Sequence, residues 1–137
     1  MCDDGVGVHV VRALEKRSVP EDVHCIDGGT TSFEALDAAG DCDHVIVVDA
    51  VQTGRSPGTI CAMGLEEWRA VRGISLHDVC LLDAISIAGA LEGRTFSVRI
   101  VGIEPEEISP GLELSPTVKE RFEDLVDYVL EEVEKER

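Results

Sequence analysis

The 137-residue sequence predicts a single α/β domain, a three-layer sandwich with a mostly parallel central sheet and helices on both faces. Three observations point there. Helical and β-rich apolar runs alternate along the whole chain, no internal repeat or linker interrupts residues 1–137, and the run His44-Val45-Ile46-Val47-Val48 is apolar on both faces after its first residue. A strand of that kind is buried from above and below, as in sheets covered by crossover helices. With 44% hydrophobic residues, the chain can fill such a core.

The elements follow in order. Val6, Val10, Ala13 and Leu14 recur at helical spacing, which predicts a helix over residues 5–16. Residues 23–26 form a short β-favouring run that ends in the turn Asp27-Gly28-Gly29. Thr31 and Glu34 have capping-box spacing, so a helix is expected from there to about residue 39. The buried strand at 44–48 ends on Asp49. A loop at 54–58, rich in Gly and Pro, leads to a strand at 59–63, and a weakly signalled short helix is expected near 66–71. Ser75-Leu76-His77-Asp78 is a second capping-type start, opening a mostly buried helix to Leu91. Residues 96–103 read as a strand centred on Val98, Ile100 and Val101. Ser115-Pro116 then opens a long helix, proline being tolerated in the first turn. Val118, Phe122, Leu125, Val126, Val129, Leu130 and Val133 form its apolar stripe.

Charge narrows the partners. Twelve basic residues face 28 acidic ones, a net charge of −16, which repels phosphate backbones and argues against nucleic acid. Asp127, Glu131, Glu132, Glu134 and Glu136 suggest that part of the acid is a solvated helix face. The N-terminus has no basic region of a signal peptide, and no apolar run approaches the roughly 20 residues needed to cross a membrane. A cytoplasmic protein without a membrane partner is therefore expected. Five cysteines, odd in number and without CxxC spacing, argue against a disulfide framework or structural zinc and for buried free thiols.

Ligands in open α/β sheets gather at the carboxyl ends of strands. Asp27 and Asp49 fall at such ends, Asp4 enters the first helix on the same rim, and His77 lies near a helix start. A helix N-terminus disfavours the imidazolium and so favours a neutral, metal-competent imidazole. Each residue has a simpler alternative. Asp4 reads equally well as a helix cap, Asp27 as a turn residue, and His77 as a capped or solvent-facing histidine. Asp49 is harder to explain away, because an acid closing a buried strand is costly without a partner. His9, His24 and His44 suggest packing or surface roles. The HExxH, GxSxG, P-loop and Asp-Thr/Ser-Gly patterns are absent.

In sequence order, Asp3-Asp4-Gly5-Val6-Gly7-Val8, Asp27-Gly28-Gly29-Thr30, the stretch from His44 to Ala50, Pro57-Gly58-Thr59, Ile74-Ser75-Leu76-His77, Val101-Gly102-Ile103-Glu104-Pro105 and Leu114-Ser115-Pro116-Thr117-Val118 resemble the hydrogenase maturation endopeptidases. The resemblance implies a peptidase that removes a C-terminal extension from a nickel-iron hydrogenase large-subunit precursor after nickel insertion. It further implies that Asp4, Asp49 and His77 are the three nickel-contacting positions, and that Asp27 is another acid near the site. Some relatives have Glu at the position of Asp4. Two carboxylates and an imidazole leave coordination positions open, so the nickel would arrive bound to the substrate rather than as a resident cofactor. Asp4 or Asp49 would double as general base.

Family members begin with a strand and a Gly-Asn loop that this chain lacks. The expectation is that Met1 is an internal methionine of a longer reading frame. The alternative is a true short form whose gap is filled by another chain or tolerated at a cost in stability, and a truncated product would pair as a homodimer through its exposed sheet edges. The alternative function is a non-proteolytic nickel- or precursor-binding module of the same fold.

Overall fold

The computed structural model describes residues 5–25, 43–71, 93, 97–106 and 113–135. Helix α1 spans Val6–Glu15 and buries Val6, Val10 and Leu14, one residue per turn along a single stripe. Strand β1 spans His44–Ala50, β2 Ile60–Gly64 and β3 Ser97–Ile103. Helix α2 spans Leu65–Val71, directly after β2, and α3 spans Pro116–Lys135.

The described strands lie in the order β1-β3-β2. β1 and β3 run parallel, from His44 opposite Ser97 to Ala50 opposite Ile103. β2 runs antiparallel to β3, with Ile60 opposite Ile103. Among the described residues the sheet is thus mixed, with one parallel and one antiparallel pairing.

Side-chain alternation divides the core in two. On one face α1 and α3 cover Val101 and Ile103, with Ile46, Val48, Ala50, Ile60 and Ala62 packed beside them. On the other, Trp68 of α2 and Met63 pack with Ile100 and Val51, joined by Val47, Cys61 and Val98. β3 contributes to both cores, as a central strand must. The helices therefore lie on both faces, giving the three layers expected of this class.

The helix over 5–16, the strands at 44–48, 59–63 and 96–103, the short helix near 66–71 and the long C-terminal helix are all present within a residue or two. Residues 23–25 are irregular rather than extended in the sheet. They follow a tight turn closed by the Val23 amide on the Pro20 carbonyl, and Cys25 packs at the core margin. Ile26, the helix starting at Thr31 and the helix from Ser75 to Leu91 lie outside the described residues.

The C-terminal acidic run also needs one correction. Glu132 is not on the solvated face: it is 3% exposed, with Arg99 Nε 3.7 Å from Oε2 and Lys135 Nζ donating to Oε1 at 3.3 Å. These partners offset the cost of burying its charge. Asp127, Glu131 and Glu134 are exposed as expected. Arg17, just beyond α1, ties that helix to α3 through Glu123 at 2.6 Å and Asp127 at 3.0 Å. His9 meets Phe122 edge to face between the same two helices, a packing role.

Candidate active site

Asp49 is the penultimate residue of β1, at the carboxyl end of a parallel pair, and is 8% exposed. Its Oδ1 accepts the backbone N–H of Ala50 at 2.9 Å. Opposite it in β3 stands Gly102. A Cβ at Gly102 would come within 2.8 Å of Val51 Cγ2, so the missing side chain lets Val51 cross inward immediately after Asp49. Val51 is 1% exposed, and its N–H extends the β-ladder by bonding the Ile103 carbonyl at 3.1 Å.

The first turn of α1 packs against the same end of β1. A Cβ at Gly7 would collide with the Val48 carbonyl oxygen, so glycine permits the close approach of helix to strand. The cap position of α1 falls on Gly5, one residue after Asp4, with no side-chain capping bond. Asp4, Asp27 and His77 lie outside the described residues, and Asp49 is the one predicted site residue that the structure describes. Among the described residues no group of three or more His, Cys, Asp or Glu side chains could hold a metal ion.

This rim carries a second buried acid, to which the sequence motifs assign no role. Glu104 follows β3 directly and is 7% exposed. Its carboxylate accepts the Thr53 N–H at 2.8 Å and 3.1 Å, the Thr53 hydroxyl at 2.7 Å and the Gly54 N–H at 3.2 Å. Its backbone is equally engaged. The Glu104 N–H donates to the Thr59 carbonyl at 2.8 Å, and its carbonyl accepts the Gly58 N–H at 2.8 Å. The argument applied to Asp49, that an acid after a buried apolar strand needs partners, would have singled it out.

The loop from Val51 to Thr59 is thus held from beneath by Glu104. Gly54 and Gly58 supply its left-handed turns, at φ +84° and +87°. Arg121 of α3 holds the far side, its Nε donating to the Gly58 carbonyl at 3.2 Å. Gln52, Arg55 and Ser56 are exposed on its outer surface.

Neither described thiol is activated for nucleophilic attack. Burial pushes the Cys61 thiol up from its ordinary value; nearby Glu104 adds to the shift, while Arg55 and the Gly102 backbone oppose it. Burial likewise raises Cys25, with Glu15 adding to it. Both are unpaired cysteines. Among the described residues the strand ends therefore offer carboxylates rather than a thiolate.

The α/β fold that sets a buried carboxylate at the carboxyl end of a parallel strand, beside a tightly docked helix start, is shared with a solved relative. The hydrogenase maturating endopeptidase HybD from Escherichia coli superposes with a TM-score of 0.87 at 33% identity, covering 99% of this chain and 86% of that one. The sequence matches the hydrogenase maturation protease family over residues 8–132, and the chain belongs to that family. It is 34% identical over 134 residues to the hydrogenase 2 maturation protease of E. coli strain K12, a match covering 95% of this chain and 82% of the relative. Against the hydrogenase expression/formation protein HupD of Thiocapsa roseopersicina it is 30% identical, covering 94% of this chain and 61% of that protein. No helix among the described residues is long and apolar enough to cross a membrane.

Proposed function

We propose that this chain is an endopeptidase that removes the C-terminal extension of a nickel-iron hydrogenase large-subunit precursor after nickel has been inserted. The observation that carries the reading is Asp49, a buried acid closing β1 in a chain whose family match spans residues 8–132. The nickel is part of the substrate. Asp4, Asp49 and His77 contact it and so recognise a loaded precursor, two oxygen donors and one nitrogen donor suiting a divalent ion of this type. Asp27 is a further acid beside them.

Bound metal polarises the scissile carbonyl or a water held next to it. Asp4 or Asp49 accepts the water's proton as general base, and the same proton then goes to the departing amine. The raised thiols of Cys25 and Cys61 fit a mechanism in which carboxylates do this work. The reaction is placed in the cytoplasm.

The test is incubation with nickel-loaded precursor, with loss of the extension read by intact-mass spectrometry. Asp49→Asn is expected to lower kcat/KM by about 100-fold or more, since the amide cannot serve as base. His77→Ala should abolish processing. Cleavage at wild-type rates by both variants would overturn the assignment. Binding of loaded precursor without any cleavage by the wild type would support the non-proteolytic binding module instead.

A further inference from the structure

We propose that Glu104 is a positioning residue that shapes the 51–59 loop into a docking surface for the precursor's polypeptide beside Asp49. The inference rests on the proposed endopeptidase reading and identifies which part of the rim meets the peptide. Four groups of Glu104 act together. Its N–H and carbonyl fix the Thr59 and Gly58 end of the loop, and its two carboxylate oxygens fix the Thr53 and Gly54 end. The inward polar groups of Thr53 and Gly54 are thereby committed to the protein, while Gln52, Arg55 and Ser56 face outward.

Three residues separate Asp49 from Thr53, so this surface begins within about 14 Å of Asp49, near enough to meet a peptide whose scissile bond reaches that carboxylate. The exposed side chains supply donors and acceptors suited to a peptide backbone. Arg55 also brings a cation to a chain of net charge −16. A carboxylate fixed by three separate donors holds its loop in one geometry, so the ordering cost of binding is met before the substrate arrives.

Glu104→Gln tests this with little change of shape. The amide turns an N–H2 group toward the donors of Thr53 or Gly54 and releases that end of the loop. The variant is expected to raise KM about tenfold while kcat stays within about twofold, as for lost preorganisation of a binding loop. Thr53→Val removes the hydroxyl bond alone and should raise KM by a smaller factor. Their double variant should resemble Glu104→Gln rather than the product of the two, because both act through one contact.

Unchanged KM in a folded Glu104→Gln protein would overturn the proposal, as would equal loss of kcat with KM intact. A second readout needs no substrate. Amide exchange at Thr53 and Gly54 should quicken in Glu104→Gln while exchange along β3 is retained; uniform acceleration would mark a merely structural residue and overturn it. Wild-type protein that neither binds nor cleaves loaded precursor would overturn the functional reading itself, and the docking surface with it.

Discussion

A methyl group added at Gly7 would meet the Val48 carbonyl oxygen well inside van der Waals contact, whereas one added at Gly5 would meet nothing within 4 Å. The two glycines look alike in the sequence, two residues apart at the start of α1, yet only one is held there by packing. Gly7→Ala should therefore push α1 off the end of β1 and cost about 1–3 kcal/mol of stability, the range for overpacked sites. Gly5→Ala should change stability by less than about 0.5 kcal/mol. Urea unfolding of the two variants distinguishes them, and equal midpoints would refute the assignment. Because Val48 precedes Asp49, the Gly7 variant should also lose precursor cleavage beyond its loss of folded protein.

Helix α3 packs Val118, Leu125, Val126 and Val129 against the core shared by α1, β1 and β3. Leu125 is fully buried, so Leu125→Ala should destabilise by about 2–5 kcal/mol, with the larger value if the cavity stays open. A denaturation midpoint unchanged from wild type would contradict that burial. At this scale much was legible beforehand. The stripes of α1 and α3 have the period of a helix with one dry face. The run before Asp49 forms its strand as expected but is half-buried rather than dry on both faces, Val45 to Val48 all being of intermediate exposure. What escaped depends on neighbours remote in sequence. Glu132 belongs to an acidic run; its pairing with Lys135 is legible at i+3, but its burial beside Arg99 of β3 is not. Glu104 follows a buried strand and so needs partners, but which groups supply them emerges only where the 53–54 amides converge on it. Residues 23–25 have β-favouring side chains but no described strand beside them to pair with, and propensity alone does not make a ladder. Of the proposed site, Asp49 stands where the reading from strand ends put it, while Asp4, Asp27 and His77 lie outside the described residues.

For the molecule as a whole, titration of the thiols couples to stability. Burial raises both Cys25 and Cys61 above the ordinary thiol value of 9.0, so the folded state holds their protons more tightly than the unfolded chain. Their contribution is fully present below the unfolded value and is lost as pH rises through the folded ones. Each thiolate formed then also adds charge to a chain already at −16. The thermal midpoint should accordingly fall as pH is raised above about 9, and Cys61→Ala should flatten that fall. A midpoint independent of alkaline pH would count against this coupling.

The order β1-β3-β2 means that the chain leaves β1, crosses through the 51–59 loop and enters β2 without those strands ever touching. The lane between them is filled by β3, which begins at Ser97, more than thirty residues after β2 ends. On a growing polypeptide, β1, the loop and β2 are all synthesised before the strand that joins them. The loop's anchor, Glu104, comes later still. Such long-range closure is slow relative to helix formation, so α1 and α2 can form while the rim is still unshaped. The rim beside Asp49 therefore takes its working form only once β3 and Glu104 are in place between β1 and β2.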